Sequence, residues 1–217
     1  MILPDSVTSL GKKFVAGCTE LREIVVPDGV TQLWDVFGES AIEKITLSEK
    51  ITIIGEETFK DCVNLKCVIM LGAVTEIRAS AFEGSGIESI ELPNTITYIS
   101  QRTFANCANL KSVVVPESVA TVGDEAFAGC TALDGITLRG VKKIGIRAFS
   151  GCAALERVTV AATLNDIGTE AFTNCTQLSA IDFSGTKMQW DLVRKGNFWN
   201  RGAGEYTVTC SDGIYGE

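Results

Sequence analysis

At 217 residues and 46% hydrophobic side chains, the chain has enough apolar surface for a sizeable core in one large or two small domains. A formal net charge of −8, with 19 Lys and Arg scattered rather than striped, leaves no basic face for a phosphate backbone, so nucleic acid is not an expected partner. Histidine is absent, which removes the usual general base, the Ser-His and Cys-His pairings and the commonest metal ligand, so neither catalysis nor a cofactor is expected. No apolar run approaches the roughly 18 to 20 residues of a membrane span, and the opening "MILPDSV" lacks the charged-then-apolar pattern of a signal peptide.

The chain repeats itself every 22 or 23 residues, and its elements are best taken in the order of that period. "ILP" at residues 2 to 4 is already the end of a strand, so the sequence starts in mid-repeat and reads as a piece of a longer protein. Next comes V-T-x-I, often followed by Gly: "VTSLG" from 7, then "VTQLW" with Trp34 in the Gly slot, "ITIIG" from 51, "VTEIR" from 74, "ITYIS" from 96, "VATVG" from 119, "VKKIG" from 141 and "LNDIG" from 164. This is a short extended piece. Two polar residues and a small one follow, room for one helical turn, and then an aromatic position at Phe37, Phe59, Phe82, Phe104, Phe127, Phe149 and Phe172. One period earlier the frame lands on Val15, with Phe14 in the slot that Ala126, Ala148 and Ala171 fill. The unit closes on an apolar alternation: "LREIVV" from 21, "IEKITL" from 42, "LKCVIM" from 65, "IESIEL" from 87, "LKSVVV" from 110, "LDGITL" from 133, "LERVTV" from 155 and "LSAIDF" from 178. Its β-branched residues predict a strand. Pro4, Pro27, Pro93 and Pro116 all follow that strand directly, where a residue without an N–H ends a ladder harmlessly.

No unit of this size buries its apolar face alone, so the units must stack into a continuous core at about 4.8 Å per coil. The expected array spans residues 1 to 183. From 184 the period is lost, and the segment to 217 is expected to be a terminal cap. In it a helix is predicted from about Lys187 to Lys195, with Thr186 as N-cap and Gly196 as terminator. "EYTVTC" should form a last strand, and Trp190 and Trp199 an apolar plug.

Cys18, Cys62, Cys107, Cys130, Cys152 and Cys175 share one register, three residues after the aromatic position. Disulfide, metal and nucleophile readings stand against a ladder of small buried hydrophobes. The ladder is favoured, because stacked Cβ vectors run parallel rather than converge and no histidine completes a zinc site. At Phe37 and Phe82 the Cys is missing and a Gly/Ser turn replaces it. Cys67, inside a strand, should face outward, and Cys210 should lie in the cap core.

The unit L-x-x-I-x-L-P-x-x-V-T-x-I-G-x-x-A-F-x-x-C-x-x-L resembles the BspA-like leucine-rich repeat family, known from bacterial surface proteins and from protist parasites. The resemblance implies an α/β solenoid: a right-handed leucine-rich-repeat coil with short parallel strands on the concave face, a second short strand and one helical turn per repeat. It also implies a non-catalytic module at the cell surface or secreted, binding a host or matrix protein or a glycan through the concave face, or else a stiff spacer with no ligand of its own. Residues free of the core pattern on that face form two columns. The first holds Glu23, Lys44, Cys67, Ser89, Ser112, Gly135, Arg157 and Ala180; the second holds Val25, Thr46, Ile69, Glu91, Val114, Thr137, Thr159 and Asp182. All except Gly135 and Ala180 are candidate ligand contacts. Nothing among them converges as a nucleophile, a base and an oxyanion donor would.

Overall fold

The computed structural model describes residues 1–72 and 74–216; Ala73, and Glu217 at the end of the last segment, lie outside them. Alternation of buried and exposed residues every second position does form strands, and each coil between Glu23 and Lys195 supplies two. The longer ones make a front sheet: β1 (Glu23–Val25), β3 (Lys44–Leu47), β5 (Cys67–Met70), β7 (Ser89–Glu91), β9 (Ser112–Val114), β11 (Gly135–Leu138), β13 (Arg157–Val160), β15 (Ala180–Phe183) and β17 (Thr207–Cys210). Alternating with them in the chain are two-residue strands of a second sheet: β2 (Gln32–Leu33), β4 (Ile53–Ile54), β6 (Glu76–Ile77), β8 (Tyr98–Ile99), β10 (Thr121–Val122), β12 (Lys143–Ile144), β14 (Asp166–Ile167) and β16 (Arg194–Lys195). Pairing within both is parallel and always between equivalent positions one coil apart, as Ile136 with Val158 and Val158 with Ile181. The fold is a parallel β-solenoid.

Between the sheets runs the core. Leu133, Ile136, Leu138, Val141, Ile144 and Phe127 are each no more than 5% exposed, and the same slots are filled in neighbouring coils. Successive Phe rings stack nearly parallel at 5.1 to 5.4 Å from Phe37 to Phe172. Trp199 ends the series by meeting Phe172 edge-on at 6.2 Å.

The helical turn expected before each Phe is absent. Glu125 has φ +54 and Gly129 φ +74, and the first of these left-handed slots recurs at Glu57, Ser80, Arg102, Arg147 and Glu170, the second at Asp61, Gly84, Asn106, Gly151 and Asn174. A left-handed residue interrupts a right-handed helix. Backbone hydrogen bonds are shared out accordingly. The N–H groups of Ala126, Ala128 and Cys130 bond three residues back, to Gly123, Glu125 and Phe127, whereas those of Glu125, Phe127 and Gly129 bond forward to Ile146, Ala148 and Ser150 of the next coil. In a helix all of these would close locally, and none would hold neighbouring coils together.

Five registered thiols are wholly buried, and each S–H donates to the carbonyl of the preceding coil's Phe: Cys62 to Phe37 and Cys107 to Phe82 at 2.9 Å, Cys130 to Phe104, Cys152 to Phe127 and Cys175 to Phe149 at 3.1 Å. Where Cys is missing, Ser40 and Ser85 occupy the slot, buried and paired with the Cys62 and Cys107 sulfurs at 3.6 and 3.4 Å. Cys18, expected to be a buried rung, is exposed; no described coil precedes it to cover the thiol. Cys67 is exposed and Cys210 buried, and all eight are free.

Beyond 184 the solenoid continues by one longer coil. Helix α1 (Lys187–Leu192) starts at the expected N-cap, Thr186, whose side chain accepts from the Gln189 N–H while the Gln189 side chain accepts from the Thr186 N–H. It stops three residues earlier than expected, at C-cap Val193, because Arg194 and Lys195 are taken into β16 beside β14. Lys195 still satisfies the helix end, its Nζ bonding the Trp190 and Val193 carbonyls at 2.8 and 3.1 Å. β17 pairs with β15, and a hairpin strand, β18 (Gly213–Ile214), follows antiparallel to it. Trp190 is buried and Trp199 half-buried.

Phe127→Ala should lower stability by about 3 to 5 kcal/mol, the loss typical of a large core cavity, measured by urea unfolding; a loss under about 1 kcal/mol would mean the Phe stack is not a core. Cys130→Ser should cost far less, since Ser already fills that slot twice. Burial pushes the Cys107 and Cys175 thiols up to about 12 and those of Cys130 and Cys152 well above their usual value. The unfolded chain releases these protons from near pH 9, while the folded one keeps them. Stability should therefore hold up to about pH 9 and fall between pH 9 and 12. A thiol reagent at pH 8 should label Cys18 and Cys67 rapidly and the six buried thiols only on unfolding.

Candidate functional site

Strand alternation turns every second front-sheet residue away from the core, and parallel pairing in register then lines these residues up across coils. Glu23, Lys44 and Cys67 stand side by side, as do Ser89 and Ser112, and Gly135, Arg157 and Ala180. The second column runs Val25, Thr46, Ile69, then Glu91 and Val114, then Thr137, Thr159 and Asp182. All fourteen candidate contacts are exposed or half-exposed; Ala180, in the same column, is buried. Thr207 and Thr209 pair with Ala180 and Asp182 and extend both columns by one strand. Sequence reasoning did not place them on this face, because the period is lost before them; the alternation of "TVTC" was the available signal.

Val25 and Val114 are each 58% exposed, so the face mixes apolar and polar character. Arg157 forms an ion pair with Asp182 of the next coil at 2.6 Å.

Two clefts in the face lie where the strand ladder is interrupted, while another, about 570 Å³, lies over the continuous pairing of β1, β3 and β5 beside Glu23, Lys44 and Cys67. The front sheet consists of separate ladders, β1-β3-β5, β7-β9 and β11-β13-β15-β17-β18. The first cleft, about 490 Å³, lies between β5 and β7 and is lined by Val68, Ile69, Met70, Glu91, Leu92, Pro93 and Asn94. The second, about 540 Å³, lies between β9 and β11. Gly135 leaves its floor as bare backbone, while the hydroxyls of Ser112, Thr137 and Thr159 and the guanidiniums of Arg139 and Arg157 stand around it. Glu117 and Asp134 line it too, and Arg139 already pairs with Glu117 at 3.8 Å as Arg157 does with Asp182, so the set is mixed in charge and can exchange hydrogen bonds with hydroxyls. It holds no histidine, cysteine or lysine. Among the described residues no group of three or more His, Cys, Asp or Glu could hold a metal ion, and no helix is long and apolar enough to cross a membrane.

Acidic residues in and just ahead of the Phe turns are drawn into ion pairs between coils. Arg102 bridges Glu83 at 2.5 Å and Glu125 at 2.7 Å, and Glu170 is held by Arg147 at 2.6 Å and Arg201 at 3.0 Å. The Arg102 guanidinium holds the Glu83 carboxyl below its usual value. These charges are structural partners of one another.

Similarity to known proteins follows the same architecture. A leucine-rich repeat protein from Bacteroides ovatus superposes with a TM-score of 0.74 at 25% identity, covering 97% of this chain and 63% of that one. A leucine rich cell surface protein from Faecalibacterium prausnitzii gives 0.59 at 24% identity, covering 89% and 62%. The chain thus spans a little under two thirds of these two solved structures. The T. pallidum leucine rich repeat protein gives 0.50 at 19%, covering 81% and 75%, a likeness of fold. No curated protein matches the sequence. The model of the BspA type leucine rich repeat region matches in six copies over residues 1–111 and 97–191, nearly the whole solenoid, and the chain belongs to that family.

Proposed function

We propose that the chain is a non-catalytic binding module of a bacterial cell-surface or secreted protein, engaging a host or matrix protein or a glycan through its front face. Leucine-rich repeats of this class are non-enzymatic scaffolds that generally mediate protein interactions. The observation that carries the reading is the contrast along each front strand. Inward positions repeat the same apolar residue types from coil to coil, whereas the outward columns change from Lys44 to Cys67 to Ser89 to Gly135 to Arg157 without a rule. Packing leaves those positions free, and a broad surface of small hydroxyls, β-branched side chains and isolated charges suits another macromolecule. One of the similar solved structures is described as a cell surface protein, which supports the location.

A second reading is a stiff spacer that holds another domain away from the cell. The unbroken stack of seven Phe rings favours it, since such a stack resists bending.

Lys44→Glu, Glu91→Lys and Arg157→Glu, introduced together, separate the two. Against a panel of matrix proteins and a glycan array, the wild type should bind at least one member, and the triple variant should lose about tenfold or more in affinity with its thermal midpoint unchanged. A wild type that binds nothing on the panel favours the spacer.

A further inference from the structure

Strands of the second sheet all run into the same slot of the coil. Glycine fills it at Gly55, Gly123, Gly145, Gly168 and Gly196, and side chains stand there at Trp34, Arg78 and Ser100. The slot amide makes the bond that closes the ladder: Arg78 donates to the Ile54 carbonyl at 2.9 Å, and Gly123 to Ile99 and Gly145 to Val122 at 2.8 Å. Coils approach each other closely at this point. A Cβ at Gly123 would lie 2.8 Å from the Ile99 carbonyl oxygen and the Ser100 carbonyl carbon, and one at Gly145 would lie 2.6 Å from the Gly123 carbonyl carbon, both inside van der Waals contact.

In every paired step of this sheet at least one of the two stacked slots is glycine: Gly55 above Trp34, Arg78 above Gly55, Gly123 above Ser100, and glycine on glycine from there on. Arg78 shows that one side chain fits when its neighbour has none; its guanidinium reaches back past Gly55 to lie 4.5 Å over the Trp34 ring. Ser100 above Arg78 is the step at which both slots carry a Cβ, and there the ladder stops. Strands β6 and β8 do not pair, and the Ile77 carbonyl takes the Ser100 hydroxyl, at 2.6 Å, where a regular step supplies the slot amide. The front sheet is interrupted at the same step, between β5 and β7, where Val68 and Met70 are partly exposed although their register equivalents Ile45 and Leu47 are wholly buried. The turn ribbon still crosses: Ser80, Phe82 and Gly84 donate to Gln101, Thr103 and Ala105, and Phe82 stacks on Phe104 at 5.4 Å. The other front interruption, between β9 and β11, has the second sheet unbroken behind it.

We propose that the stacked side chains of Arg78 and Ser100 make this step a built-in seam, which divides the solenoid into two cooperative blocks, the coils through β6 and those from β7 on, that part from each other before either unfolds. The stability of a solenoid is close to a sum of terms for its coil interfaces, so an interface that keeps its turn ribbon but neither strand ladder is where the array gives way first. The Phe stack and the ribbon hold the blocks in line while both are folded. On the front face the division falls between Ile69 and Glu91, and the columns on either side keep their own register.

Hydrogen exchange of the full chain, in water and in rising urea, tests it. Segments carrying β7 and β8 should exchange about tenfold faster than those carrying β13 and β14, and the two blocks should lose protection at separate urea midpoints. Ser100→Gly should restore the missing amide bond, slow exchange in β8 about tenfold and bring the two midpoints together. Glycine in a strand ordinarily costs stability, so a gain here is the opposite of the substitution's general effect. Gly123→Ser sets a serine above Ser100 and should open a second break, with β10 exchanging about tenfold faster. Gly145→Ser, between Gly123 and Gly168, leaves a glycine in both of its steps and should change exchange in β12 by less than about threefold. A single midpoint for all coils would overturn the seam. No slowing with Ser100→Gly, or equal effects of Gly123→Ser and Gly145→Ser, would overturn its assignment to the paired side chains.

Discussion

Everything in this molecule depends on one coil holding its neighbour, because no coil has a core of its own. The tightest grip is at the Phe turn. There half the backbone N–H groups close the turn and the other half reach the next coil, while the ring below each carbonyl stacks on the ring one coil away. Two left-handed residues per coil are what aim alternate amides forward. Non-glycine residues such as Glu57, Arg102 and Arg147 carry that conformation at some cost, offset by the inter-coil bonds they make possible. The same turn continues across the seam, where both sheets let go.

The cysteine column belongs to this grip. Each thiol gives a Phe carbonyl, already bonded by the N–H three residues on, a second and weaker donor that comes from the next coil. Ser40 and Ser85 can replace Cys because a small side chain with one donor is all the slot requires. Burial suppresses the thiolate, the reactive form, so a run of thiols that looks like redox or metal chemistry is inert packing.

The proposed binding role falls to the residues that packing leaves unconstrained. Parallel pairing one coil apart turns a variable position in a repeat into a continuous column on the surface, so a change in one coil alters one patch of the face without disturbing the next. Interruptions of the ladder add relief to what would be a flat sheet, and they coincide with Gly135 in one gap and with the half-exposed Val68 and Met70 in the other.

The solenoid, its register and the outward columns were legible in the sequence, because a period of 22 or 23 residues dictates which positions stack. The N-cap at Thr186 and the exposure of Cys67 were legible too, since both depend on local chemistry or strand alternation. Tertiary structure decided the rest. The spacing before each Phe fits a helical turn as well as a pair of left-handed turns, and only the chance to bond the next coil selects the second. Helix α1 ends early because β14 offers Arg194 and Lys195 a strand partner. Cys18 lies open because a rung is buried by the coil before it, not by its own sequence. The seam has no signature in any one coil: it is a property of how two coils meet, and a repeat pattern describes each coil alone.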